Sequence, residues 1–164
     1  MPASQTVMKW PGSHRSPGVS LVIRVQTEDF DPGIELERLR SRNKGQAGAM
    51  VSFTGLVRDL NAGNTVTQMT LEHYPGMTEK ALGKIEVQAC KRWNLIDSVI
   101  IHRVGPLQPN DRIVFVAASS AHRKDAFQAC EFMIDTLKTE APFWKQEDTS
   151  GGTRWVSDME DGET

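Results

Sequence analysis

The sequence predicts an α+β fold, and three observations carry that reading. Two long stretches repeat apolar residues at helical spacing, several short β-branched runs are separated by Gly, Pro and Asn, and no segment repeats another. Strands and helices mixed without a repeating unit suit a sheet with helices packed on it. The chain has 164 residues, enough for one core with a small appended subdomain. With 38% hydrophobic and 24% charged residues it has the make-up of a folded globular protein.

Residues 1–18 are rich in Ser, Pro and Gly, with Trp10 beside Val7 and Met8 as the only large apolar anchors, and read as a mobile tail. A domain is expected over 19–157 and an acidic tail over 158–164. The first strand is expected at 19–26, where Val and Ile alternate. Asp31-Pro32 then opens a short helix carrying Ile34, Leu36 and Leu39 and ending before Gly45. Residues 49–57 and 66–73 read as two further strands, joined by a polar, glycine-containing link at 58–65 that reads as a flexible loop.

From Met77 to Trp93 the residues Met77, Ala81, Ile85, Ala89 and Trp93 recur every fourth position, which marks an amphipathic helix. Two β-branched runs, 99–104 and 113–118, are separated by the turn formers Gly105-Pro106 and Pro109-Asn110-Asp111 and read as paired strands. A second long helix follows, with Ser119 or Ser120 as its cap. Its buried stripe is Ala126, Phe127, Cys130, Met133, Ile134 and Leu137, and Pro142 stops it. Residues 143–156 hold strand-like pieces around a turn at Ser150-Gly151-Gly152.

Composition narrows the function classes. A formal net charge of −2 gives no general attraction for nucleic acid or an anionic membrane, so anion binding must come from a local basic cluster. No apolar run approaches the length of a membrane span, and residues 1–18 lack the apolar centre of a secretory signal, so a cytoplasmic location is expected. Cys90 and Cys130 lie among apolar helical neighbours and read as buried structural thiols. No spacing suggests a zinc site, and no metal or cofactor is expected.

Three features carry candidate chemistry. At Ser119-Ser120-Ala121-His122-Arg123 two basic side chains stand where a helix begins, although the helix dipole there favours anions. Either both are solvated, or an anionic ligand resolves the conflict. In Leu137-Lys138-Thr139-Glu140-Ala141-Pro142-Phe143-Trp144-Lys145 two lysines flank a proline-broken helix end and two aromatics. A lysine on apolar surface becomes available as acid, base or nucleophile, while the plainer reading has Lys138 complementing the helix C-terminus and Lys145 solvated on a strand. Arg58 follows the second strand at the mouth of the link, where guanidinium is placed to meet phosphate or a surface carboxylate. His73 and His102 read as structural histidines.

Together these stretches resemble the large subunit of molybdopterin synthase. The matching runs are Phe53-Thr54-Gly55 with Val57-Arg58, Leu71-Glu72-His73-Tyr74-Pro75-Gly76-Met77, Ser120-Ala121-His122-Arg123, and Leu137-Lys138-Thr139 with Ala141-Pro142-Phe143-Trp144-Lys145. They run in order with family-like spacing from about residue 20 to about residue 157. The resemblance implies an α/β hammerhead-type fold with a small additional antiparallel β subdomain. It also implies a central homodimer within a heterotetramer, flanked by a small ubiquitin-like sulfur-carrier subunit with a C-terminal Gly-Gly thiocarboxylate. The implied substrate is cyclic pyranopterin monophosphate, which receives two sulfurs to form a dithiolene.

By the same resemblance, Lys138 and Lys145 are the expected catalytic residues. Leu56, Val57, Arg58, His122, Arg123, Lys138, Lys145, Gln146 and Glu147 are the expected substrate-binding residues. Leu56 stands where relatives often carry lysine, and Gln146 where they often carry arginine, with Glu147 kept. His122 and Lys138 are 16 residues apart on one helix, about 24 Å, so a single pterin-sized site needing both is expected to be shared across a two-fold dimer. The rival reading is a non-catalytic module that binds a ubiquitin-like tail or a phosphorylated metabolite. An RNA-binding domain is disfavoured, since neither a broad basic surface nor an aromatic stacking motif is evident.

Overall fold

The computed structural model describes residues 21–61 and 63–156. The two tails and the first residues of the expected first strand lie outside them. In chain order the elements are β1 (Leu21–Gln26), α1 (Pro32–Asn43), β2 (Ala49–Leu56), β3 (Leu60–Asn61), β4 (Asn64–His73) and α2 (Met77–Arg92), followed by β5 (Leu95–Arg103), β6 (Gly105–Leu107), β7 (Arg112–Ser120), α3 (Arg123–Glu140), β8 (Phe143–Thr149) and β9 (Gly152–Val156). The fold is α+β.

The first sheet has the order β1-β5-β7-β2, with β1 parallel to β5 and the other pairs antiparallel. Alternate residues of its two central strands face opposite helical layers. Ile100, Val114, Val116 and Ala118 pack with Leu82 and Ile85 of α2 and Met133 and Leu137 of α3. Val99, Ile101, Phe115 and Ala117 pack with Phe30 and Leu39 on the α1 side. Covering on both faces is why β5 and β7 read as unbroken apolar runs rather than as alternation. Each fully buried side chain of this kind contributes about 1.5–3 kcal/mol.

Asp31 caps α1 as its sequence suggests: Oδ1 accepts from the N–H groups of Gly33 at 2.8 Å and Ile34 at 3.1 Å. At the start of α2 the Glu79 carboxylate accepts from the Gly76 N–H at 2.6 Å. The cap expected for α3 is different. His122 occupies the cap position without a side-chain cap bond, and both serines belong to β7. Ser119 donates to Asn43 Oδ1 at 3.0 Å and Ser120 to the Asn94 carbonyl at 3.0 Å, while the Ser120 oxygen accepts from the His122 N–H at 3.4 Å.

The second sheet has the order β3-β4-β8-β9, with β6 also paired to β4. Here two expectations are corrected. The link at 58–65 is not simply a loop, because β3 folds back on β4 through Leu60↔Thr65 and Asn61↔Asn64. Gly105-Pro106 is not only a turn, because it pairs with Leu71 and Thr70 of β4. Val57, Met69, Leu71 and Leu107 form a small apolar cluster with Ile113 beneath this sheet. No helix among the described residues is long and apolar enough to cross a membrane.

Candidate active site

A cavity of about 530 Å³ opens where the two sheets and the C-terminal half of α3 meet. That size is typical of a small-molecule site. One wall is β2 with Arg58 beyond its end, a second is Ile134, Leu137 and Lys138 of α3, and a third is Phe143, Lys145 and Glu147 of β8. The charged groups lining it among the described residues are Arg58, Lys138 and Lys145 against the one carboxylate of Glu147. Such a cavity attracts anions.

Local sequence explains how the two lysines converge. The buried residues Met133, Ile134 and Leu137 fix the inward stripe of α3, and Lys138 follows at its edge in the last turn. Ala141 closes the helix with its N–H bonded to the Leu137 carbonyl at 3.1 Å, and Pro142 turns the chain into β8. Strand alternation then sets Phe143, Lys145 and Glu147 on the cavity side. Trp144 and Gln146 take the other face, where Trp144 meets Tyr74 edge-on with ring centroids 4.7 Å apart.

Glu147 is 1% exposed and is met from two other elements. Asn61 Nδ2 donates to its two oxygens at 2.9 and 3.1 Å, and an Arg154 guanidinium nitrogen lies 3.3 Å from Oε2. His102 lines the cavity from β5, stacked on Phe143 with ring centroids 3.8 Å apart. Its Nδ1 lies 2.8 Å from the Arg103 carbonyl, which only accepts, so Nδ1 carries the proton. Burial pulls its pKa down to about 4, opposed by the Arg103 bond and aided by nearby His73. The imidazole is neutral near neutral pH.

Of the residues expected from sequence, Leu56, Arg58, Lys138, Lys145 and Glu147 come together at this cavity. Val57 is 3% exposed and its side chain belongs to the apolar cluster with Met69 and Leu107. His122 and Arg123 stand exposed at the other end of α3, about 24 Å along the helix from Lys138. They do not line this cavity. His102, read from sequence as structural, and Phe53, quoted there only in a family-matching run, also line it, as does Asn61, which was not singled out. Phe143 was quoted with the two lysines and its strand phase relative to Lys145 places it on the cavity side, while Asn61 had no signal. The described residues hold no cluster of His, Cys, Asp or Glu suited to a metal ion.

Similarity to known proteins places this geometry in a family. A molybdopterin synthase catalytic subunit from Ralstonia nicotianae is 59% identical over 134 residues, 82% of this chain and 76% of that protein. The Escherichia coli protein of the same name is 51% identical over 138 residues, covering 84% of this chain and 91% of its own. Among solved structures, a molybdopterin biosynthesis MoaE protein from Burkholderia ambifaria superposes with a TM-score of 0.72 at 57% identity, over 82% of this chain and 87% of that one. A molybdopterin synthase from Staphylococcus aureus gives 0.71 at 33% identity, over 81% and 95%. The sequence model of the MoaE protein family matches residues 25–140, and with these relatives at such identity and coverage the chain belongs to that family.

Proposed function

We propose that the chain is the catalytic subunit of a molybdopterin synthase. In this reading it transfers two sulfurs from the thiocarboxylated C-terminus of a small ubiquitin-like carrier subunit to cyclic pyranopterin monophosphate, forming the dithiolene. Family membership supports the reaction class, and one observation carries its placement: Lys138 from α3 and Lys145 from β8 converge on a single cationic cavity that also receives Arg58. The anionic thiocarboxylate and the phosphate both suit that charge.

Roles follow from position. Arg58 holds the substrate phosphate, joined by His122 and Arg123 from a second copy of the chain, since one copy's α3 separates those two from Lys138 by about 24 Å. Lys138 acts at the carbon accepting sulfur, by proton transfer or as a transient amine adduct. Lys145 steadies negative charge on the thiocarboxylate or the leaving oxygen. The working assembly is a homodimer flanked by two carriers.

The test is reconstitution from purified chain, thiocarboxylated carrier and cyclic pyranopterin monophosphate, with molybdopterin measured after oxidation to a fluorescent derivative. Product requiring all three components is the expected result. Carrier binding without product would leave a non-catalytic module for a ubiquitin-like tail, and neither binding nor product would remove both readings.

A further inference from the structure

Glu147 must be matched by donors, because a buried carboxylate left unpaired is strongly destabilising. Its partner Asn61 sits on β3, a short strand paired to β4 in a hairpin. β3 has two residues, its ladder to β4 has two pairs, Leu60 is exposed and Gly63 adopts a φ of 79°. Asn61 is held twice. Its side chain gives both contacts to Glu147, and its carbonyl accepts from Arg154 at 3.2 Å.

Arg58 begins the same hairpin, three residues before Asn61. On its other side Val57 is fixed to the turn ahead of β7, with its N–H bonded to the Asp111 carbonyl at 2.9 Å and its carbonyl accepting from Asn110 at 2.8 Å. Arg58 thus lies between an anchor in the core and a segment held by the Asp59 carbonyl, which accepts from the Val66 N–H at 2.8 Å, and by the Asn61–Glu147 contact at the cavity wall. Losing the Asn61–Glu147 contact leaves the core anchor and the pairing with β4, so the segment that carries Arg58 loosens against the cavity wall while the core keeps its packing.

We propose that Asn61 is a positioning residue of this site: its carboxamide clasps the buried Glu147 carboxylate and so fixes residues 58–61, Arg58 among them, over the cavity. The inference rests on reading the cavity as the place of sulfur transfer. A carboxamide is the required group, because it donates where a carboxylate of the same size would repel.

The experiment uses the full chain with Asn61→Ala and Asn61→Asp, assayed with thiocarboxylated carrier and cyclic pyranopterin monophosphate from mildly acid to mildly alkaline pH, alongside amide hydrogen exchange. Asn61→Ala raises KM for the phosphate-bearing substrate roughly tenfold at every pH, with a smaller change in kcat. Its hairpin amides exchange faster, Val66 included, whose N–H bonds the Asp59 carbonyl at 2.8 Å. Asn61→Asp raises KM at least as far as Asn61→Ala at alkaline pH, where two carboxylates would face each other, and returns toward the parent as pH falls, because the pair then shares a proton that donates across the gap. A merely structural loss would move both variants alike at all pH. An unchanged KM in Asn61→Ala, or an Asp variant that tracks the Ala variant throughout, overturns the proposal. If the parent chain forms no product, the sulfur-transfer reading fails, and unaltered exchange of the hairpin amides then overturns the clasp on its own.

Discussion

A histidine lying 6% exposed on a central strand, against a phenylalanine ring, has lost the water that would stabilise its imidazolium. His102 accordingly holds its pKa near 4, below the ordinary 6.5. The unfolded chain takes a proton on this group first as pH falls. Its contribution is therefore complete above about pH 6.5 and is lost progressively toward pH 4, by at most about 3 kcal/mol. We predict that the urea midpoint of the parent falls across this window more steeply than that of His102→Gln, which cannot titrate. Parallel slopes for the two proteins would exclude His102 as a source of acid sensitivity. Burial acts in the opposite direction on Cys130, raising its thiol to about 11, so it stays protonated and fills the core as the sequence suggested.

Between elements, Gly48 shows how closely β2 approaches the start of α3. Its N–H bonds the Ser120 carbonyl at 3.0 Å, and a Cβ on it would fall 2.2 Å from the Ala121 carbonyl oxygen. Gly48→Ala is predicted to cost roughly 2–3 kcal/mol in urea unfolding, since backbone must move. Gly83 in α2 is the control, because a Cβ there meets Ile23 Cδ1 at an ordinary 3.6 Å and helix propensity favours alanine. Equal losses would refute the close-approach argument. The same contrast explains what the sequence could show. α1, α2, α3, β5 and β7 were legible because burial imposes a period or a run on them, although Phe127, assigned to the buried stripe of α3, is exposed and Ala129 takes its place in the core. β3 and β6 were not, since a strand of two or three residues has no period and exists only by pairing with β4. Lys138 and Lys145 could be singled out because Pro142 forces a helix end between them. Asn61 could not, because only the pairing of β3 with β4 and of β4 with β8 brings it to Glu147 at the cavity, and His102 was read as structural because nothing local places a β5 histidine against Phe143.

At the scale of the whole molecule the unresolved demand is charge. Lys138 and Arg58 share a cavity, while His122 and Arg123 mark the far end of an 18-residue helix. A rigid α3 cannot bring its own two ends to one pterin-sized ligand, so the proposed reaction assigns the His122 pair to a neighbouring copy. Complementation follows from that geometry. His122→Ala and Lys138→Ala are each predicted to fold and bind the carrier but to form little product alone. After subunit exchange at equal amounts, half of the dimers are mixed, and in each of these one site has both residues intact while the other has neither. Mixed samples should therefore regain about a quarter of the parent's sites. Recovery at that level, titrating with the proportion of the two variants, is the signature of a shared site. Continued inactivity after verified exchange would mean that each copy works alone and that His122 acts elsewhere.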